Sequence, residues 1–397
     1  MTLIDRIKKL SHDYSTEVVA MRRHLHANPE LSFQEINTAK FIAEKLKSFG
    51  LHPSKGIAGT GVVVLIEGKT PTKKTIALRA DMDALPIQET NEVSYKSKKE
   101  GVMHACGHDV HTSSLLGTAK ILNEIKNEFE GTVKLIFQPG EEKNPGGASM
   151  MIKEGVLENP KPSAIIGQHV MPLVPVGKVG FREGMYMASS DEIYLTVIGK
   201  GGHGATPELT IDPVVIAAHL ILALQQIISR NASPKQPTVL TFGKIIAEGA
   251  TNIIPGEVQI AGTFRTLNEK WREEGLQKIK KMAEGLAESM GGKCEVKILR
   301  GYPYLENNVP LTKRIRHAAE EYMGKENIVD IELTLGSEDF AHYAHQLPAS
   351  FYRLGTRNEA KGITSYVHTS TFDIDEEALT IGPGLMAWMA VKELTEN

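Results

Sequence analysis

Residues 131–142, GTVKLIFQPGEE, contain the pattern that decides the fold, because a strand-like run ends there in an acidic turn. The apolar residues Val133, Leu135 and Phe137 alternate with others, and a period of two residues is typical of a β-strand. Three other short apolar runs predict strands of the same kind: 61–67, 74–80 and 163–168.

Helical patterns lie between these runs. One helix is predicted over 33–49, where Gly50 ends it. A second is predicted to begin just after His111, because apolar residues follow at helical spacing from Leu115 to Ile125. Strands that alternate with helices predict an α/β domain with a mixed central sheet and crossover helices.

The order of elements changes near residue 188. From there the patterns predict a β-α-β-β-α-β unit: strand 191–199, helix 212–229, strands 237–247 and 253–265, helix 267–290 and strand 294–301. The second of these helices has the start signal of a capping box, Thr266-x-x-Glu269. This order is the ferredoxin-like α+β motif. The sequence therefore predicts a discontinuous domain, 1–187 and 301–397, with a smaller domain, 188–300, inserted into it.

The composition narrows the class of protein. Lys and Arg (45) nearly balance Asp and Glu (48), so we expect no nucleic-acid partner. Cys106 and Cys294 cannot build a disulfide framework, which fits a reducing compartment, and the N-terminus has no signal-peptide pattern. The longest apolar stretch, 214–228, is interrupted by His219 and predicts a buried helix instead of a membrane span. We expect a cytoplasmic protein with no membrane partner.

The segment 104–111, HACGHDVH, is the strongest local sign of chemistry. A thiolate at Cys106 and an imidazole at His108 suit a borderline-soft divalent cation, and Gly107 lets the backbone bend so that both face one ion. Taken alone, the pair is equally compatible with a buried small side chain beside a capping histidine.

Glu141 and Glu142 follow the strand quoted first. On an extended chain their side chains point to opposite sides, so that one carboxylate can bind a metal while the other faces a reacting water. The alternative is a solvated acidic turn, the usual setting of paired carboxylates.

Other candidates also lie at the ends of predicted strands. Asp81, Asp83 and His169 each follow an apolar run, and His368 lies in YVHTSTFD. Because the carboxyl ends of strands in an open α/β sheet converge on one crevice, we expect these side chains to meet. So many ligands exceed what one ion needs, and the sequence predicts two divalent cations that share a ligand.

Patterns of other enzyme classes are missing from the sequence. It has no H-E-x-x-H, G-x-S-x-G, Walker A or C-x-x-C motif. The glycine-rich run 199–204, GKGGHG, lacks the spacing of a phosphate loop, so its interest is His203, a donor on a flexible turn.

Seven ordered motifs resemble the amidohydrolase branch of the di-metal aminoacylase/carboxypeptidase superfamily. That branch includes hippurate hydrolases, N-acyl-amino-acid amidohydrolases and auxin-conjugate hydrolases, and the bacterial hippurate hydrolases look most similar through YKSKKE at 95–100. Gly140 departs from relatives that often carry Ala there. The motifs are RRHLHANPE (22–30), RADMDALP (79–86), MHACGHD (103–109), QPGEE (138–142), GGHGATP (201–207), NIIP (252–255) and GSEDF (336–340).

The resemblance implies a catalytic α/β domain that binds two divalent metal ions, Zn or Mn foremost, with Co or Ni also acceptable. Glu141 would be the general base, and Asp83 would orient the site without binding metal. The implied metal ligands are Cys106, His108, Glu142, His169 and His368.

The resemblance also implies that the inserted domain is a lid that dimerises, giving a homodimer or a dimer of dimers. His203 on this lid would act as an electrophilic donor, often in the partner subunit's active site. Asn252 and Arg265 would hold the carboxylate of the substrate.

The expected reaction is hydrolysis of the amide bond of N-acyl amino acids, such as hippurate or N-acetyl amino acids. A dipeptidase or carboxypeptidase and an N-acetyl-diaminopimelate deacetylase are the alternatives on the same scaffold. The alternative from another class is a metal-binding or small-molecule-binding protein without catalysis, but such a protein has no need of the base Glu141.

Overall fold

The computed structural model describes residues 1–395, and the chain within it forms two compact units. The first unit consists of Met1–Gly184, Glu306–Glu332 and the residues from Asp339 onward. The second consists of Met185–Leu305 and a short return segment, Leu333–Glu338. The sequence predicted boundaries at 188 and 300 and assigned 333–338 to the larger domain. A segment of six residues is too short to show a periodic pattern that would assign it to the smaller domain.

The strands are numbered in chain order. They are β1 (Ser54–Ile57), β2 (Gly61–Glu67), β3 (Thr75–Asp81), β4 (Thr132–Gln138), β5 (Ala164–Pro175), β6 (Val179–Phe181), β7 (Gly184–Met187), β8 (Asp191–Ile198), β9 (Gly202–His203), β10 (Thr238–Ile246), β11 (Ile253–Ile254), β12 (Glu257–Thr266), β13 (Lys293–Arg300), β14 (Leu305–Asn307), β15 (Ile328–Asp330) and β16 (Ala349–Arg357).

The α-helices surround these strands. They are α1 (Leu3–Ala27), α2 (Ile36–Ser48), α3 (His108–Glu124), α4 (Gly147–Lys153), α5 (Pro213–Gln226), α6 (Glu269–Ser289), α7 (Val309–Met323), α8 (Ala341–Ala344) and α9 (Ala378–Thr395). A π-helical turn, Ile227–Asn231, extends α5.

The first unit is built on one mixed sheet of eight strands, in the order β1-β2-β4-β3-β5-β16-β6-β15. Its centre is parallel: β3 pairs with β4 and with β5, and β16 pairs with β5. Toward one edge, β1 pairs with β2 and β2 with β4 in antiparallel orientation, and on the other side β16 pairs antiparallel with β6. The predicted mixed α/β fold is therefore confirmed, and the strand predicted at 61–67 has those bounds.

The register brings the chemical motifs to one edge of this sheet. Asp81 at the end of β3 pairs with Gln138 at the end of β4. Arg79 pairs with Gly167 of β5, so His169, two residues further on, lies level with Asp81. Helix α3, buried over almost its whole length, packs against α1 and α9 and directs its N-terminus to the same edge.

Three local expectations about this edge are wrong. Helix α3 begins at His108 and not after His111, because Gly107 with φ 82° turns the chain directly into the helix. Strand β5 does not end before His169 but continues through it to Pro175. Glu141 and Glu142 lie in a turn, so the alternation of an extended chain does not apply to them.

The second unit contains the predicted β-α-β-β-α-β order. Its four-stranded sheet has the order β10-β12-β8-β13, and every pairing in it is antiparallel. The predicted capping box is wrong: Asn268 caps α6 by accepting a hydrogen bond from Trp271 N, whereas Thr266 is still the last residue of β12. Strand β12 ends at Thr266, one residue beyond the predicted end, so the N-cap position falls on Asn268 instead of Thr266.

Helix α5 is not the buried helix that its sequence predicted. Val214, Val215 and Leu222 are 42%, 47% and 74% exposed, so one face of an apolar helix lies open. Pro213–Asn231 is long and apolar enough to cross a bilayer and is only 33% buried, but a single helix of this kind is weak evidence for a membrane span. A large exposed apolar face more often marks a protein contact.

Candidate metal centre

The loop before α3 carries Cys106 and His108 against β5. A Cβ atom on Gly107 would lie 2.5 Å from Val170 Cγ2, so only glycine allows this approach as well as the positive φ. From the other side, His368 N donates a hydrogen bond to Ala105 O at 2.7 Å. Two sequence-distant segments are thereby held on either side of the Cys106 thiol.

The Cys106 sulfur lies between two imidazoles. Its distance to His169 Nε2 is 3.5 Å and its distance to His368 Nε2 is 3.3 Å. Cys106 and His169 are buried, whereas the side chain of His368 is 52% exposed, so the group opens to solvent on the His368 side.

Glu142 completes the arrangement. Its Oε1 lies 3.2 Å from His368 Nε2 and 3.9 Å from His108 Nε2. Three overlapping groups of residues could each hold a metal ion, because within each group one ligand atom per residue lies within 4.8 Å of the others. The groups are Cys106/His108/His169, Cys106/Glu142/His368 and His108/Glu141/Glu142. The structure thus brings together all of the residues that the sequence proposed as metal ligands.

Hydrogen bonds fix which ring nitrogen each imidazole presents. His108 Nδ1 donates to Asp83 Oδ1 at 3.1 Å, and His169 Nδ1 donates to Val170 O at 2.7 Å. In the neutral imidazole, the proton on Nδ1 leaves a lone pair on Nε2, the nitrogen that faces Cys106 or Glu142. Hydrogen bonding of the second ring nitrogen is the usual support of a metal-binding histidine.

The residues fit a divalent cation by a direct test. Within residues 1–395, His108 Nε2 is buried and makes no hydrogen bond, and it faces Glu142 Oε1 at 3.9 Å. A buried polar atom without a partner is costly, and a cation between these two atoms would satisfy His108 Nε2. The donor set of thiolate, imidazole and carboxylate is one that zinc and similar ions accept.

The side chains of the group also affect one another's protonation. Hydrogen bonds to Cys106 and Glu142 raise the pKa of His368 to about 10. Burial raises the pKa of the Cys106 thiol, and the Glu142 carboxylate adds to this effect. Cys106 and His368 would have to lose these protons to bind a metal ion, so metal binding at this group would release protons.

Glu141, the predicted base, is 6% exposed. Its Oε1 accepts a hydrogen bond from Asp339 N at 3.3 Å. Two potential ligand sets contain Cys106, and one of them includes Glu142 whereas neither includes Glu141. The geometry therefore favours Glu142 as the ligand of the pair and leaves Glu141 beside it.

Asp83 lies where an orienting residue is expected. Besides its contact with His108, its Oδ2 accepts from Ser32 Oγ at 2.6 Å and from Glu142 N at 3.0 Å. Although burial raises its pKa, the hydrogen bond from His108 and the other donors hold the pKa of Asp83 below its usual value. One carboxylate thus positions two of the potential ligands.

Asp81 and His111 form a second support whose role the sequence did not reveal. His111 Nδ1 donates to Asp81 Oδ1 at 2.6 Å, while Val170 N donates to His111 Nε2 at 2.9 Å. Both ring nitrogens are therefore occupied, and His111 holds β5 and β3 together instead of offering a ligand atom.

Arg79 is the other residue that sequence reasoning missed. It is fully buried and donates to Asp81 Oδ2 at 2.6 Å, to Asp339 Oδ1 at 2.7 Å and to Gln138 Oε1 at 2.9 Å. Because Asp339 N donates a hydrogen bond to Glu141, the Arg79 guanidinium connects Asp81, which holds His111, with the acidic turn. Arg79 and Asp339 are 260 residues apart, and only their places in two recognisable motifs could have signalled the pairing.

In the second unit, His203 and Asn252 come together. His203 lies in β9, which pairs with β11, and not on a flexible turn as predicted. Ala205 N donates to His203 Nδ1 at 3.0 Å, so the exposed Nε2 carries the proton. Gly204 N donates to Asn252 O at 2.9 Å, which fixes the two exposed residues side by side.

Arg265 lies elsewhere in the same unit. It is near the end of β12, eight residues or about 26 Å along the strand from Glu257, which follows the Asn252 segment. Its Nη1 donates to Leu335 O at 2.9 Å, and burial lowers its pKa. Asn252 and Arg265 of one copy therefore cannot hold the same carboxylate.

Comparison with known proteins gives one consistent family. The pattern of Peptidase family M20/M25/M40 matches residues 77–390. An N-acyl-L-amino acid amidohydrolase of Geobacillus stearothermophilus is 44% identical to this chain over 298 residues, which are 75% of the chain and 80% of that protein. Thermostable carboxypeptidase 2 of Saccharolobus solfataricus is 38% identical over 395 residues, 99% of each protein.

The fold is also that of a solved relative. The Bacillus subtilis YXEP protein, described as a dinuclear metal binding peptidase from the M20 family, superposes with a TM-score of 0.82 at 36% identity. The match covers 96% of this chain and 99% of that one.

Proposed function

Since the chain belongs to peptidase family M20/M25/M40 and is a metal-dependent amidohydrolase, we propose that it hydrolyses N-acyl amino acids to a carboxylic acid and a free amino acid. The observation that carries this proposal is the group around Cys106, in which imidazole, thiol and carboxylate atoms converge beside the additional carboxylate of Glu141. A protein that only bound metal would need no such carboxylate.

The two overlapping ligand sets support a site for two ions. Cys106, His108 and His169 would hold one ion, and Cys106, Glu142 and His368 would hold the other, with the thiolate shared. Zinc and manganese are the metals we favour, and cobalt or nickel would accept the same donors. When bound, the cations supply Lewis acidity and lower the pKa of a nearby water.

The residues of the chain then move the proton. Glu141 accepts a proton from the water that attacks the acyl carbon, and it later gives this proton to the nitrogen of the leaving amine. Its hydrogen bond from Asp339 N orients the carboxylate for both transfers. Asp83 keeps the His108 ring in one orientation throughout.

The second unit supplies donors to the substrate. His203 presents an Nε2 proton, which would stabilise the negative oxygen formed during attack and is worth roughly 3 kcal/mol for a well-placed donor. Asn252 beside it, and Arg265, would bind the substrate's carboxylate. Because these two lie far apart in one copy, a site that uses both takes them from different copies, which supports a homodimer.

The test is a panel of hippurate, N-acetyl amino acids, N-acetyl-diaminopimelate and dipeptides, assayed after chelation and after refilling with each metal. We expect chelation to abolish hydrolysis, and one or more metals to restore it on the N-acyl amino acids. Preference for peptides with a free amino group would instead assign the chain to the dipeptidases and carboxypeptidases. No hydrolysis of any amide by the metal-loaded protein would contradict the proposal.

The expected cellular setting is the cytoplasm. Both cysteines are free in the structure, and the thiol of Cys106 is needed in its reduced form for the proposed site. Fractionation of the native host, with detection of the full chain, tests this assignment.

A further inference from the structure

A short turn before α2 touches the acidic turn of the site and takes no part in the proposed mechanism. Its central residue, Phe33, has a φ of 65°, a left-handed conformation that a bulky side chain rarely adopts. The ring packs on Gly140, the residue before Glu141: a Cβ on Gly140 would lie 2.3 Å from Phe33 Cε1. The missing methyl group at position 140 is what makes room for the ring.

A buried carboxylate holds this contact. Glu35, which is fully buried, accepts hydrogen bonds through Oε1 from Phe33 N at 2.9 Å and from Gly140 N at 2.8 Å. Its Oε2 accepts from Thr60 Oγ1 at 2.8 Å. One carboxylate therefore binds the backbone on both sides of the contact and maintains the strained conformation of Phe33.

The neighbouring residue ties the same turn to the ligands. Ser32 Oγ donates to Asp83 Oδ2, the carboxylate that also positions His108 and Glu142. Ser32, Gly140 and Glu141 are buried, whereas Phe33 is only partly buried. An aromatic side chain thus lies directly beside a group of otherwise polar side chains.

We propose that Phe33, with the space left by Gly140, determines substrate specificity by forming the wall against which an apolar group next to the scissile amide packs. This inference rests on the proposed function. The ligands and supports of the metal centre are charged or polar, and they can fix the amide but cannot favour a large apolar substituent over a methyl group. The apolar group is either the acyl group or the side chain of the amino acid.

The experiment compares three substrates with the metal-loaded full chain: benzoyl-glycine, acetyl-phenylalanine and acetyl-glycine. Phe33→Ala is expected to reduce kcat/KM for an apolar substrate roughly tenfold more than for acetyl-glycine, mainly through KM. A selective loss with benzoyl-glycine places the wall at the acyl group, and a selective loss with acetyl-phenylalanine places it at the amino acid side chain. Equal factors for all three substrates would overturn the inference.

Two further variants keep the test independent of folding. Phe33→Leu preserves an apolar side chain and is expected to keep most of the preference that Phe33→Ala loses. Gly140→Ala should displace the ring and lower the preference, yet have a smaller effect on it in the Phe33→Ala background, where no ring remains to be displaced. Equal effects in both backgrounds would show that Gly140 does not act through Phe33. If the wild-type protein hydrolyses none of the three substrates, the proposed function itself has failed.

Discussion

The two units hold their functional residues in opposite ways. Around Cys106 in the first unit, ring nitrogens and carboxylates are fixed by buried partners such as Asp83, Asp81 and Arg79. In the second unit, His203 and Asn252 lie exposed in and beside two-residue strands and are fixed mainly through backbone hydrogen bonds. The first arrangement suits a cation that must be bound in one geometry, and the second suits residues that meet a substrate only when it arrives.

The difference shows where a single substitution acts. Replacing a residue of the first unit disturbs a network in which one carboxylate serves several neighbours, so the metal content changes together with the activity. Replacing an exposed donor of the second unit should leave the metal in place and remove only its effect on the reaction. Substitutions in both units can test this separation.

The largest effect is expected within the acidic turn itself. Glu141→Gln should retain the metals but lose about 10²–10⁴-fold in kcat, because an amide cannot accept the proton of the water. Glu142→Gln should lose metal as well as activity, since its Oε1 faces two imidazoles. Turnover numbers and elemental analysis of the same preparations check both statements, and near-wild-type turnover in Glu141→Gln would remove it as the base.

The next effect concerns the exposed donor. His203→Ala should reduce kcat by about 10²–10³-fold, the usual result of losing one donor to a developing oxyanion, at unchanged metal content. If His203 acts across a dimer, mixing inactive His203→Ala and Glu141→Gln subunits restores activity, because one hybrid site has both residues intact. An exchange-verified mixture that stays inactive, or a monomeric mass in solution, would exclude the cross-subunit role.

A third test uses the two cysteines, one in each unit. Cys106→Ser should lower the metal-to-protein ratio, because a hydroxyl in place of the thiolate that we propose to be shared is a poor ligand for these ions. Cys294→Ser, at a similarly buried position in β13, is the matched control and should keep the metal. Equal ratios for the two variants, measured by elemental analysis, would take Cys106 out of the site.

A substitution on α5 is expected to have the smallest effect on the metal centre. Its expected effect is on the oligomeric state. Leu222→Glu places a charge on the exposed apolar face and should shift a dimer toward monomer with no loss of bound metal. Glu288→Lys, a charge change on the exposed surface of α6 in the same unit, is the control. Light scattering measures the mass, and a Leu222→Glu protein that remains a dimer would locate the interface elsewhere.

The sequence predicted the sheet well, and the residues that it proposed as ligands lie together in the structure, because both depend on local patterns. Strand β2 has the predicted bounds, and each proposed ligand lies in a short motif at the predicted edge. The supports could not be predicted in the same way: the contact of Arg79 with Asp339 joins segments that no period connects. The exposure of Leu222 was missed because an apolar helix has the same composition whether it faces its own core or another surface.

The position of the last proposed ligand has a consequence for how the protein matures. His368 comes from the far end of the chain and is anchored by its backbone N–H to Ala105, after the whole second unit has been synthesised. Since synthesis runs from the N-terminus, Cys106, His108, Glu142 and His169 emerge from the ribosome long before it. Under the proposed assignment of ligands, full metal loading is therefore a late event in biosynthesis, and a chain that terminates before His368 lacks a ligand of the second ion.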